Sequence, residues 1–493
     1  MDDPACSPRQ PGPEPDGTSG GASIARREAP SRPVMPTPAR TTPDLRLLAL
    51  HLVLFASLLW VYTTYVVDIF GYAGFHDALN VGKALLSPVA LLAAFALLRN
   101  NGLPSYFFLN LILAFIVTPS LVLFSGSDLP FEFIAVTWTA FALVAAVVFF
   151  LRLRRLRTHT VSATRLLPWI VSSGLLLVVG ILALGGARYL NFDLTRVYDF
   201  RRDASANLPG VFQYLVPTFS NAIVPSGIVL SMHYRRWGLL LLSVSCSVLL
   251  FALSSNRLPL FIPVVLATVY WFSRHPRAID ATLLALIAAV AVGGADFHLM
   301  QSGVGGLAGL FGSLGVRRAL LVPSLMNWSY FDFFSVHPHT YWSDSKVTLG
   351  LVDPVYDIGI ADLIGRDVFG RDMHANAGWI GSGMANAGYA GIALYSVALG
   401  LLLSLLDACA RTLGYTLVLA VFLIPVLSVA VSSDLTTMLL THGLLVLLAV
   451  VILLKPALER SPSGRAPGRS PRRGAAGGRA GPVAAGSGSP QRP

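Results

Sequence analysis

Twelve stretches of mainly apolar residues constrain this chain more than any other feature. They lie near 47–67, 83–98, 105–124, 131–151, 166–186, 211–232, 238–254, 258–273, 281–299, 386–407, 413–432 and 435–454. A helix that crosses about 30 Å of hydrocarbon needs roughly 20 apolar residues. Lipid offers the backbone no hydrogen-bond partners, so helices that satisfy their own amides are the available solution. Only 12% of residues are charged, against about 25% in soluble domains. The expected fold is an all-α polytopic membrane protein with about 12 transmembrane helices, of which the second, seventh and eighth are short.

The two ends differ in kind. Residues 1–45 and 455–493 are rich in Pro, Gly, Ser and Arg and poor in large apolar residues. Such segments cannot bury a core and are expected to be disordered tails around a membrane domain over 46–454. The N-terminal tail lacks the apolar core of a cleavable signal, so the first helix is expected to act as an uncleaved anchor. Cys6, Cys246 and Cys409 have neither metal spacing nor an evident disulfide pairing.

The net charge of +11 is distributed by topology and does not suggest a nucleic-acid partner. Five arginines and no acid occupy 151–165, and from Lys455 onward there are eight basic residues and one acidic. Threading twelve spans with both termini cytoplasmic puts these segments, together with 233–238, 274–277 and Arg411, on the side where positive charge accumulates. The basic excess reads as topology and contact with membrane lipids.

The opposite face then carries 187–210, the hairpin tip "SSNR" at 254–257, and a long segment at 295–385 between spans nine and ten. Arginines on that face run against the positive-inside preference. They either pair with neighbouring acids such as Asp193, Asp199, Asp203, Asp367 and Asp372, or hold an anion. Arg257 has no acid in its own loop, and a guanidinium stays charged and grips two oxygens at once, which suits a lipid headgroup or pyrophosphate. Arg196, Tyr198, Arg201 and Arg202 form either an interfacial amphipathic helix or a sugar-diphosphate cradle. Few ionisable residues fall well inside the apolar stretches, which argues against an ion-coupled transporter.

The long segment has the residue types of a pocket. "VRRALLVPSLMNWSYFDFF" (316–334) sets Arg317 and Arg318 before Asn327, Trp328 and Tyr330. Aromatic faces beside amides and hydroxyls suit carbohydrate, although an interfacial aromatic belt explains Trp328 and Trp342 equally well. Further on, "HANAGWIGSGMANAGYAGIALYS" (374–396) repeats Asn-Ala-Gly at Asn376 and Asn386. Its glycines suit close helix packing, while His374, Asn376 and Asn386 read as the wall of a site. His298, His337, His339 and His374 lack the spacing of a metal site. No Walker or Rossmann motif is present, and no G-x-S-x-G elbow falls within 46–454.

Together, the arginine at the short hairpin, the motif at 316–334 and "NAGWIGSGMANAGYAGIAL" resemble the Wzy-type oligosaccharide repeat-unit (O-antigen) polymerases of bacteria. The resemblance is architectural over about 46–454, with local motif similarity around 254–257 and 316–391. It implies a GT-C-like, inverting glycosyltransferase of the inner membrane with a large periplasmic loop, needing no metal or other cofactor. Its donor and acceptor would be glycans on undecaprenyl pyrophosphate, with a chain-length regulator and a flippase of the same pathway as partners. The catalytic set would be Arg257, Arg317, Arg318 and His374, with Asp372 or Asp203 as other candidates for the base. Arg196, Tyr198, Arg201, Arg202, Asn327, Tyr330, Asn376 and Asn386 would bind substrate. An O-antigen ligase is the nearest rival, but the Ala375 that follows His374 and the displaced Gly388-x-x-Gly391 depart from its pattern. A lipid-linked oligosaccharide flippase is the rival from another class.

Overall fold

The computed structural model describes residues 44–153, 161–192, 210–254, 256 and 258–455. No strands occur among them, and the elements are helices throughout. Among the described residues, eight helices are long and apolar enough to cross a membrane: α1 (Leu45–Ala73), α3 (Pro104–Gly126), α4 (Phe131–Phe150), α5 (Ala163–Ala183), α6 (Phe212–His233), α7 (Trp237–Ser254), α9 (Ala278–Gln301) and α12 (Trp379–Leu413). Shorter apolar helices α2 (Val81–Ala96), α8 (Leu258–Phe272), α13 (Tyr415–Val431) and α15 (Leu444–Leu453) fall on the remaining four apolar stretches. The seventh stretch forms a full-length helix. The twelfth is instead broken into α14 (Leu435–Leu440) and α15, where Gly443 turns the chain at φ +83°.

Large apolar side chains cover the outside of this bundle. Leu85, Leu176, Leu241 and Val264 are each about 70% exposed, a surface that water does not tolerate over this area and that lipid covers. The protein is thus a polytopic helical membrane protein. Inside, α12 lies along α4, α1 along α9, and α6 packs with α5 and α7.

Several helices open into wide π-type turns at Tyr62–Val66, Leu113–Val117, Phe219–Ile223 and Gly312–Leu321. The last three each run directly into a proline, Pro119, Pro225 and Pro323. Proline lacks the amide hydrogen and crowds the carbonyl four residues earlier, and widening the preceding turn relieves that clash without ending the helix.

The segment 295–385, expected as a loop, is largely helical and partly inside the bundle. After Gly312–Leu321 the chain continues as α10 (Val322–Val336), then α11 (Ile360–Asp367). Most of α10 is buried, and the Ser324 hydroxyl donates to the Ile116 carbonyl at 3.1 Å. Its apolar residues are interrupted by Ser324, Asn327, Ser329 and Asp332, so it does not read as a membrane span.

One end of the bundle is marked by a short pairing of Val161 with Leu454, in which the Lys455 amide donates to the Val161 carbonyl at 2.8 Å. This tail end holds the start of α3, where Asp407 near the close of α12 accepts from the Ser105 amide and hydroxyl. The opposite, loop end holds the turns around Asp128, Asn386 and Asp434.

Candidate functional site

Helix α12 is not straight. Ala387 and Gly388 leave helical geometry, with Gly388 at φ +60°, and the chain reverses there. The Trp379 indole donates to the Ser396 hydroxyl at 3.1 Å, whereas seventeen residues of continuous helix would hold them about 25 Å apart. The stretch Trp379–Asn386 therefore forms one arm of a re-entrant hairpin, and Tyr389–Leu413 forms the other. At the crossing Gly383 meets Gly391, where a β-carbon on Gly391 would lie 2.0 Å from the Gly383 carbonyl oxygen. Only glycine permits that approach. Gly381 packs closely on α10, where a β-carbon would lie 3.1 Å from both Asn327 Oδ1 and Tyr330 Cβ.

The carbonyls at the end of the short arm have no partner within it. The Thr340 and Tyr341 amides donate to the carbonyls of Ala385 and Asn386, each at 2.9 Å. To do so the chain holds Tyr341 and Trp342 at φ +48° and +60°, a left-handed geometry that costs about 1–3 kcal/mol per residue.

Asn386 has its hydrogen-bonding capacity engaged within the fold. Its side-chain oxygen accepts from the Thr340 hydroxyl and the Trp342 amide, and its nitrogen donates to the Ser382 carbonyl and the Tyr395 hydroxyl. The Tyr395 hydroxyl also accepts from the Trp342 indole at 2.8 Å and donates to Asp434 at 2.7 Å. Asp434 in turn caps α14, accepting from the Thr437 amide and the Thr436 hydroxyl. This network ties three distant parts of the sequence together at the loop end.

Other polar atoms nearby remain open. Asn327 is buried, and its oxygen accepts from the Gly381 amide at 3.1 Å. Its nitrogen, like His339 Nδ1 and the Ser343 hydroxyl, is buried without a hydrogen-bond partner among the described residues. Tyr330, next to Asn327 against Gly381, is also buried. Burial pushes its phenol well above the ordinary range, helped by the negative charges of Asp434 and Asp362, so Tyr330 stays protonated.

His374 sits where the chain enters the hairpin. Its Nδ1 lies 2.6 Å from Asp362 on α11, and both side chains are exposed. The Ala375 amide donates to the Ala361 carbonyl at 2.9 Å, which fixes the two segments side by side. Arg371, three residues before His374, stands over the Tyr72 ring at 4.9 Å, and Arg317 stands over Phe70 at 4.3 Å. Those two rings are 6.2 Å apart, so both guanidiniums rest on the end of α1. Arg317 also donates to the Ser313 hydroxyl, while the adjacent Arg318 is exposed. Asn376 is exposed as well. Arg196, Tyr198, Arg201, Arg202 and Arg257 lie outside the described residues.

Beside the pair, Phe333, His337, Tyr356, Leu363, Arg366 and Asp367 line an open cavity of ≈ 270 Å³. His337 stacks flat on Phe333 at 3.9 Å, and Arg366 pairs with Asp367 at 2.7 Å. Aromatic rings flanked by charged groups have the chemistry to hold a sugar.

Asp362, Tyr395, Asp434 and Thr340 are not legible as site residues in the sequence. Each lies remote in sequence from, or on a different element from, the residue it serves, and no local spacing announces such a pairing. No protein-family model, curated protein or solved structure matches this chain.

Proposed function

We propose that this protein is a membrane glycosyltransferase that polymerises oligosaccharide repeat units carried on undecaprenyl pyrophosphate. It would do so at the periplasmic face of a bacterial inner membrane, on a GT-C-like scaffold of about 12 spans. The observation that carries the reading is the His374–Asp362 pair at the mouth of a re-entrant hairpin, close to two arginines seated on one aromatic shelf. The motif resemblance at 316–391 agrees with it.

The reaction needs a base and an anion hole together. A hydroxyl of the acceptor glycan attacks the anomeric carbon of the donor glycan, the bond from that carbon to phosphate oxygen breaks, and the lipid pyrophosphate departs with the electron pair. Attack from the face opposite the leaving group inverts the anomeric centre. Asp362 holds Nδ1 of His374, leaving Nε2 to take the hydroxyl proton. Arg371, Arg317 and Arg318 would meet the negative charge that develops on pyrophosphate, an electrostatic contribution that grows as the bound glycans exclude water from around them. Arg371 precedes His374 by three positions, at most about 11 Å of chain. Asn327 and Tyr330 would donate to glycan hydroxyls, and Asn386 positions the hairpin rather than the sugar.

Deletion in the native host tests the reading. A polymerase is expected to leave cells with a single repeat unit on their surface glycan. An unchanged glycan ladder would exclude the proposal, as would bare acceptor with full-length polymer stranded on lipid.

A further inference from the structure

At the tail end, α5, α6 and α7 frame a second cavity of ≈ 530 Å³. Leu167 and Pro168 form one wall, and Tyr234, Arg235, Arg236 and Trp237 form the other. Among the described residues no acid lines it and neither arginine forms an ion pair. More positive charge stands behind the wall, where Arg274 donates to the Tyr270 hydroxyl at 2.6 Å and Arg235 lies within electrostatic range of the same phenol. At the rim Trp169 and Trp237 are 76% and 62% exposed, the position that indole favours between headgroups and acyl chains.

The backbone adds an independent point. Helix α6 ends in a Schellman turn, the Arg235 amide donating to Met232 and the Arg236 amide to Ser231. The left-handed position of that turn ordinarily belongs to glycine, yet Arg235 occupies it at φ +56°. Cations after a helix C-terminus are favoured by its carbonyls, which accounts for a charge here. It does not account for a cavity, nor for a strained arginine where glycine fits without cost.

We propose that this cavity binds the headgroup of an anionic two-chain phospholipid, with the phosphate between Arg235 and Arg236 and the acyl chains running down α5 past Trp169. The inference does not depend on the chemistry at the loop end. It can be tested on the full-length protein in a neutral detergent, using brominated phosphatidylglycerol, brominated phosphatidylcholine and inorganic phosphate as probes. Phosphatidylglycerol should quench tryptophan fluorescence at lower concentration than phosphatidylcholine, and millimolar phosphate should not displace it. Each of Arg235→Gln and Arg236→Gln should weaken phosphatidylglycerol roughly fivefold, with Arg152→Gln, at the same end, as an unchanged control. Arg235→Gly relieves the backbone and should fold at least as well while losing the same affinity. Equal quenching by the two lipids, or wild-type affinity in Arg235→Gly, would overturn the proposal. Displacement by inorganic phosphate would assign the site to a free anion instead.

Discussion

His374 and Asp362 stand 2.6 Å apart at the entrance to the hairpin. If His374 takes the acceptor proton, His374→Ala should lower turnover by at least about a hundredfold, with the protein present at normal levels. Asp362→Asn should cost less, and combining it with His374→Ala should cost nothing more, because Asp362 acts only through the imidazole. Additive losses in initial-rate measurements would dismiss the dyad. Tyr395 belongs to the scaffold. Tyr395→Phe leaves Asp434, the Trp342 indole and the Asn386 amide each short of a partner, and should cost about 1–3 kcal/mol of stability. A thermal unfolding midpoint equal to wild type would show that the network is idle. Asp128 tests the loop end through pH. The Lys83 ammonium at 2.7 Å and the Asn80 amide hold its carboxyl below the usual carboxylate range. A carboxylate with a depressed pKa stabilises the fold above its unfolded value, near 4, and loses that contribution as pH falls through the folded value. Asp128→Asn should therefore flatten the fall in stability below about pH 4, and an identical acid limb in the variant would contradict the pairing.

Among the elements, the hairpin decides most. Its glycine spacing was legible as close packing, but the reversal was not. Gly388 sits among so many glycines and alanines that nothing local separates a turn from a packed span, and the short arm is stabilised by amides forty-five residues upstream. The same limit hid α10, whose buried polar residues make it look like a loop although its surroundings are protein. By contrast, the apolar stretches were readable because lipid imposes one requirement on every one of them. Gly391→Ala drives a methyl into the Gly383 carbonyl and should reduce both folded yield and polymer. Gly180→Ala, which meets open space, should be neutral or slightly stabilising. In a background without native cysteines, Trp379→Cys and Ser396→Cys should join through a short bis-maleimide. Failure to join, in protein whose single mutants label freely, would mean that the helix runs straight.

Across the whole molecule, charge and shape are divided between the two ends. The tail end concentrates Arg165, Arg235, Arg236, Arg274 and Arg277, while the loop end carries the hairpin, the His374–Asp362 pair and the aromatic-lined cavity. A lipid-facing belt joins them. This division suits an enzyme that draws both substrates from the membrane and joins them at one surface, where confinement in a shared cleft supplies much of the rate. The most direct measurement is reconstitution. Purified protein given lipid-linked repeat units and excess EDTA should convert them into a ladder of lipid-linked polymers with inverted linkages, releasing one undecaprenyl pyrophosphate per bond formed. Repeat units that stay single, with protein that is folded and carries intact His374 and Arg371, would contradict the account.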